Sequence, residues 1–185
     1  MARRPLTGVL LVGGASTRFG SPKALARVDG ETFADRGRRV LAEACEEVLV
    51  VGKRADGLPF DVIDDGADVR APIAGVVAGL RAAANDVAVF VPVDCPWMTP
   101  EAIRALGEAC RDAAVPSSGP LPGAWAKSAL ALLERRLATG PLALYRTYEE
   151  LDVVTVDLDA AVVADVDTPG ELTARSEPRT PPARA

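Results

Sequence analysis

Short, β-branched apolar runs alternate along this chain with Ala-, Leu- and Arg-rich stretches whose apolar residues recur at helical spacing. That alternation constrains the fold more than any other feature. Strand, helix and strand in repetition is the sequence form of an α/β domain with a mostly parallel sheet, because each helix carries the chain back across the sheet before the next strand begins. The runs predict strands over 7–12, 47–52, 59–63, 87–93, 112–115 and 152–157, with another short one over 162–166. Helices are predicted over 32–45, 72–84, 100–111, 126–138, 142–150 and 169–175. Thr99 and Thr168, each followed by proline, predict N-caps, and Glu171 completes a capping box with Thr168.

A length of 185 residues suits one domain able to bury a core without disulfides or a structural metal. That domain is expected over 1–175. The tail over 176–185 is rich in proline and arginine, has no apolar residue larger than alanine and is expected to be disordered. Although 49% of residues are apolar, no run approaches the roughly 20 residues that span a bilayer. The N-terminal MARRPLTG lacks the apolar stretch of a signal peptide, so a cytoplasmic protein without a membrane partner is expected. Cys45, Cys95 and Cys110 are odd in number and lack C-x-x-C spacing, which argues for buried apolar thiols over disulfides or zinc. A formal charge of −5 with no basic run argues against nucleic acid as a partner. The absence of histidine removes imidazole acid–base chemistry, His-based triads and His metal sites together.

The most informative stretch is LLVGGASTRFGSPKAL, residues 10–25, where an apolar strand runs into Gly13, Gly14, Ala15 and Ser16, followed by Arg18, Gly20 and Lys23. Glycines let the backbone approach a ligand so that successive N–H groups point at phosphate oxygens, and Arg18 and Lys23 add positive charge. The spacing is neither that of a Walker A loop nor G-x-G-x-x-G. The pattern L-x-G-G-x-S-x-R-x-G-x-x-K-A-L resembles the signature loop of the molybdenum cofactor guanylyltransferases, in a wider nucleotidyltransferase superfamily of Rossmann-like fold. PIAGVVAGL at 72–80, PVDCPWMTP at 92–100 and VDTPGEL at 166–172 resemble three further segments of that family, in order.

The resemblance implies a single-domain, three-layer α/β/α sandwich. It also implies a magnesium-dependent transfer of GMP from GTP to the terminal phosphate of molybdopterin, with release of pyrophosphate and with molybdoenzymes as possible contacts. Residue by residue, it implies that Leu11, Val12, Gly13 and Gly14 line the base and phosphate side of the nucleotide. Ser16 lies in the backbone cradle, Lys23 and Arg18 meet phosphates, Asp65 lies near the nucleotide, Gly75 belongs to the guanine-side segment, and Asp94 holds the magnesium ion.

The residues themselves support Asp94, which ends the apolar run VAVFVPVD at the expected carboxyl end of a parallel strand. Ligands of open α/β sheets bind there, and a carboxylate suits magnesium. Asp165 and Asp167 are weaker candidates, since a carboxylate before Thr-Pro also serves ordinary turns. Guanylyl-transferring members more often carry asparagine in this closing motif, whereas cytidylyl-transferring relatives carry aspartate more often. Gly13–Gly14 and the P-I-A-G segment lean toward guanine. Two alternatives stand beside this reading: a cytidylyl- or other nucleotidyltransferase acting on another phosphorylated acceptor, and a non-catalytic nucleotide-binding adaptor. Trp97 and Trp125 read as packing residues, and Lys127, Arg135, Arg136 and Arg146 as solvated helix charges.

Overall fold

The computed structural model describes residues 3–13, 22–53, 57–66, 71–168 and 170–172. Its main sheet has six strands: β1 (Thr7–Val12), β4 (Glu47–Gly52), β5 (Val87–Pro92), β6 (Ala113–Pro116), β7 (Gly123–Ala126) and β8 (Val153–Val156), in the spatial order β4-β1-β5-β7-β6-β8. A separate two-stranded ribbon pairs β2 (Arg27–Val28) with β3 (Glu31–Thr32). β1 pairs in parallel with β4 and β5, and β6 with β8, while β7 runs antiparallel to both its neighbours. The sheet is therefore mostly parallel.

Successive side chains of a strand point to opposite faces, and this period divides the core in two. Leu10 and Val12 of β1, with Val87, Val89 and Val91 of β5, pack on the side of α1 (Phe33–Ala44) and α3 (Pro100–Ala109). Val9 and Leu11, with Ala88 and Phe90, pack on the side of α2 (Pro72–Ala82) and α4 (Leu130–Thr139). Burial on both faces is why these strands are continuous apolar runs. The result is a three-layer α/β/α sandwich. Gly79 lets α2 approach the sheet, since a Cβ there would lie 2.5 Å from the Phe90 ring.

Helix starts follow their capping residues. Thr32 Oγ1 accepts the Asp35 N–H at 3.0 Å, and Thr99 Oγ1 accepts the Ala102 N–H at 3.2 Å, each satisfying one of the first-turn donors a helix leaves open. All three cysteines are free and buried, and burial pushes the thiols of Cys45 and Cys110 up to about 12. Trp125 is fully buried in β7. Arg135 and Arg136 lie on the α4 surface and pair with Glu150. Among the described residues no helix is long and apolar enough to cross a membrane.

Four expected elements come out differently. The strand expected over 59–63 reduces to one bridge, Ile63 against Val51, because Pro59 has no N–H to give a ladder and Gly57 has φ +92°. The strand expected over 162–166 is replaced by the short helix α5 (Ala160–Val163), since Asp159 accepts the Ala161 N–H at 2.8 Å and draws the chain into a turn. Residues 142–150 form a 3-10 helix over Leu144–Glu150, in which buried Thr147 returns its hydroxyl to the Leu144 carbonyl at 2.7 Å. The helix expected over 126–138 starts late, at α4, after a 3-10 turn, because Gly123–Ala126 is taken by β7. Of the helix expected over 169–175, residues 170–172 are helical, and 169 and 173–175 lie outside the described residues, as does the tail.

Candidate active site

Strands β4, β1 and β5 run parallel and end side by side, at Gly52, Val12 and Pro92. The crevice beyond the carboxyl ends of such strands is where open α/β sheets place ligands. Just past β5, Asp94 is held by its backbone: its carbonyl accepts the Val166 N–H at 2.8 Å, and the Cys95 N–H turns back to the Pro92 carbonyl at 3.0 Å. Cys95 Sγ also reaches the Val163 carbonyl at 3.8 Å, and burial pushes this thiol well up. Two chain segments far apart in sequence are thereby tied together beside Asp94.

That tie delivers Asp167 to the same place. Thr168 Oγ1 accepts the Glu171 N–H at 3.3 Å, as the capping box predicts, but the Glu171 carboxylate reaches back to the Asp167 N–H, at 2.8 Å. The turn thus fixes the backbone of Asp167. Lys23 stands on a 3-10 turn, Lys23–Leu25, closed by Leu25 and Ala26 N–H bonds and seated by buried Ala24. Its Nζ lies 3.0 Å from Asp94 Oδ2 and 2.7 Å from Asp167 Oδ1. Desolvation, the largest single influence on this ammonium, lowers its pKa. The hydrogen bonds and charges of Asp167 and Asp94 together outweigh it and raise the pKa above the ordinary lysine value.

On the other side of β1, Lys53 follows β4 and bridges a second pair, 2.8 Å from Asp64 Oδ1 and 2.7 Å from Asp65 Oδ1. The Ile63 bridge to Val51 brings these aspartates alongside. Their hydrogen bonds raise the Lys53 pKa, while the Lys53 ammonium and the Gly66 N–H lower that of Asp64. Gly52 has φ +143°, and a Cβ there would fall 1.8 Å from the Val12 carbonyl oxygen, so only glycine lets β4 turn here. Gly13 is exposed next to Gly52 and Lys53. Leu11 is half-buried, Val12 is buried, and a Cβ on Gly75 of α2 would meet the Leu11 side chain at 2.9 Å.

Of the residues singled out in the sequence, Lys23 and Asp94 meet directly, and Leu11, Val12, Gly13, Gly75 and Asp65 lie around the ends of β1 and β4. Gly14, Ser16 and Arg18 lie outside the described residues. Sequence reasoning undervalued Asp167 and passed over Lys53. The position rule that singles out Asp94, a polar residue just past the end of a parallel strand, also fits Lys53. Behind Asp94, Arg36 Nε donates to the Pro96 carbonyl at 2.8 Å and its guanidinium lies 5.6 Å from the Trp97 ring, which makes Trp97 a packing residue.

The donor set fits a hard divalent cation. Two carboxylate oxygens converge on one positive charge, the Lys23 ammonium, and magnesium is bound through one or two carboxylates plus substrate phosphates. Among the described residues no three Asp, Glu or Cys side chains converge, so an ion held here would need ligands besides these two carboxylates.

Residues 8–154 match the family described as MobA-like NTP transferase domain. The probable molybdenum cofactor guanylyltransferase of Deinococcus radiodurans is 36% identical, over 91% of this chain and 92% of its own. Its counterpart from Chloroflexus aggregans is 33% identical, over 73% and 72%. The crystal structure of molybdopterin-guanine dinucleotide biosynthesis protein A from Archaeoglobus fulgidus shares the fold, with a TM-score of 0.77 at 23% identity over 92% of this chain and 96% of its own. With strand ends, loop lysine and carboxylates in this arrangement, the chain belongs to the MobA-like family of nucleotidyltransferases.

Proposed function

We propose that this protein transfers GMP from GTP to the terminal phosphate of molybdopterin, with release of pyrophosphate. The observation that carries the reading is the meeting of Lys23, Asp94 and Asp167 beyond the ends of β1 and β5, in a chain whose curated relatives are named molybdenum cofactor guanylyltransferases. Leu11, Val12, Gly13, Gly14, Ser16, Asp65 and Gly75 line the nucleotide, with Lys23 and Arg18 toward its phosphates. Asp94 and Asp167 would hold the magnesium ion, which would supply charge neutralisation at the phosphate oxygens.

An oxygen of the acceptor phosphate attacks the α-phosphorus in line, forming one P–O bond as the bond to the leaving pyrophosphate breaks. A phosphate monoester is largely ionised near neutral pH, so the step asks for no general base. A protein without histidine is suited to it. What the chain supplies is position and charge: Lys23 on its closed turn, Asp94 and Asp167 fixed through their backbones.

Asp167 favours a second reading, cytidylyl transfer to another phosphorylated acceptor, because aspartate in the closing motif resembles the cytidylyl-transferring relatives. Calorimetric titration with GTP and with CTP, each with magnesium, followed by product analysis with molybdopterin, decides between them. Selective GTP binding and a guanylylated product are expected. CTP preference would transfer the assignment to cytidylyl chemistry, nucleotide binding without any product would favour the non-catalytic adaptor, and binding of neither would favour an acceptor-first mechanism.

A further inference from the structure

We propose that Lys23 is the resident counter-ion of the metal site, and that a divalent cation takes its place between Asp94 and Asp167 only as the Lys23 ammonium moves off onto the phosphates of the nucleotide. The inference rests on the reading of Asp94 and Asp167 as the metal-holding pair and goes beyond it by making metal binding and phosphate binding mutually dependent.

Three observations carry it. The Lys23 Nζ stands 3.0 Å from Asp94 Oδ2 and 2.7 Å from Asp167 Oδ1, the very oxygens the metal would use. A magnesium ion lies at about 2.0–2.1 Å from each oxygen ligand, so ion and ammonium cannot share the gap between two carboxylates. Second, the backbones that carry the carboxylates do not depend on Lys23 for their position. Asp94 is tied by its carbonyl to Val166 and Asp167 by its N–H to Glu171, so the pair outlasts departure of the lysine. Third, Lys23 carries its charge on a flexible four-carbon stem from a short turn whose backbone is closed on itself. The head can swing while the turn stays. With the ammonium in place one of the pair's two negative charges is offset and its oxygens are engaged, so metal binds weakly. A triphosphate gives the ammonium another anion, and the vacated carboxylates then take the ion. By linkage, metal strengthens nucleotide binding by the same factor.

The test is Mn2+ binding to the nucleotide-free full-length protein, read from the free-ion electron paramagnetic resonance signal, for wild type, Lys23→Gln, Asp94→Asn and the double variant Lys23→Gln/Asp94→Asn. Lys23→Gln is expected to bind Mn2+ at least tenfold more tightly than wild type, and to show the larger Mn2+-induced rise in melting temperature. The added Asp94→Asn change should abolish that gain. In a Mn2+-bound crystal structure of the wild type, Lys23 Nζ should stand beyond hydrogen-bond distance of both carboxylates. Unchanged or weaker binding by Lys23→Gln, or a lysine still bridging both carboxylates beside the ion, overturns the exchange while leaving the metal site intact. Mn2+ binding that ignores Asp94→Asn in either background overturns the metal assignment and the exchange together.

Discussion

Two lysines bridge two pairs of aspartates on either side of β1, and they differ in where their partners come from. Lys53 takes Asp64 and Asp65, neighbours in the chain, and its own side chain is 48% exposed. Lys23 takes Asp94 and Asp167, which lie 71 and 144 residues further along, and its own side chain is 16% exposed. Exposed ion pairs contribute little, since water and salt screen them and two long side chains must be ordered. The difference teaches that a bridge between adjacent acids can be ordinary surface chemistry. A bridge whose partners are each fixed by separate backbone hydrogen bonds marks a place where the fold has been arranged around charge.

Four variants, one of them with a control, would break or sharpen that contrast. Asp94→Asn should have the largest effect, lowering turnover at least about a thousandfold while GTP affinity changes far less. Steady-state kinetics beside GTP titration read it, and near-normal transfer in magnesium would remove Asp94 from the metal site. Lys23→Ala should follow, with a loss of roughly a hundredfold in kcat/KM; a change below about threefold would class Lys23 with solvated lysines. Asp167→Asn keeps the backbone bond to Glu171 and should cost about tenfold, whereas Asp165→Asn, exposed and outside the Lys23 bridge, serves as its control. Should the two aspartates prove equivalent in the same assay, the bridge would lose its claim to specificity. Lys53→Ala should do least: no resolvable shift in melting temperature, and turnover within about twofold of wild type. Were it to match Lys23→Ala, the two clusters would have to be treated as one site.

The parallel half of the sheet was legible because β1, β4 and β5 are β-branched runs buried on both faces, and a strand of that kind has few other uses. β7 was not, because Gly-Ala-Trp-Ala has a single strong strand former and merges into the helical spacing that follows. Residues 162–166 misled for a local reason: Val163 and Val166 are both buried, but the cap at Asp159 places them across a helical turn and the chain leaving it. Asp94 was found because the end of an apolar run is a position that topology makes meaningful. Asp167 was discounted because Asp-Thr-Pro is common turn chemistry, and nothing local says that its turn is tied back to β5 through Val166. The Lys53 bridge was passed over because nothing in the sequence beside a glycine-ended strand shows that Asp64 and Asp65 are brought alongside through Ile63. Pairings across 71 and 144 residues depend on how several crossovers stack, which no window of sequence contains.

The hydrogen bond from Val166 to the Asp94 carbonyl also bears on timing. A ribosome delivers the loop lysine and the β5 aspartate long before it delivers the closing motif. Throughout that interval the nascent protein lacks the segment that ties Asp94 and brings Asp167 beside it. On the proposed function, that part of the site is completed late in synthesis, and loss of the segment, by cleavage or local melting, is expected to lower turnover while leaving the body of the sheet standing.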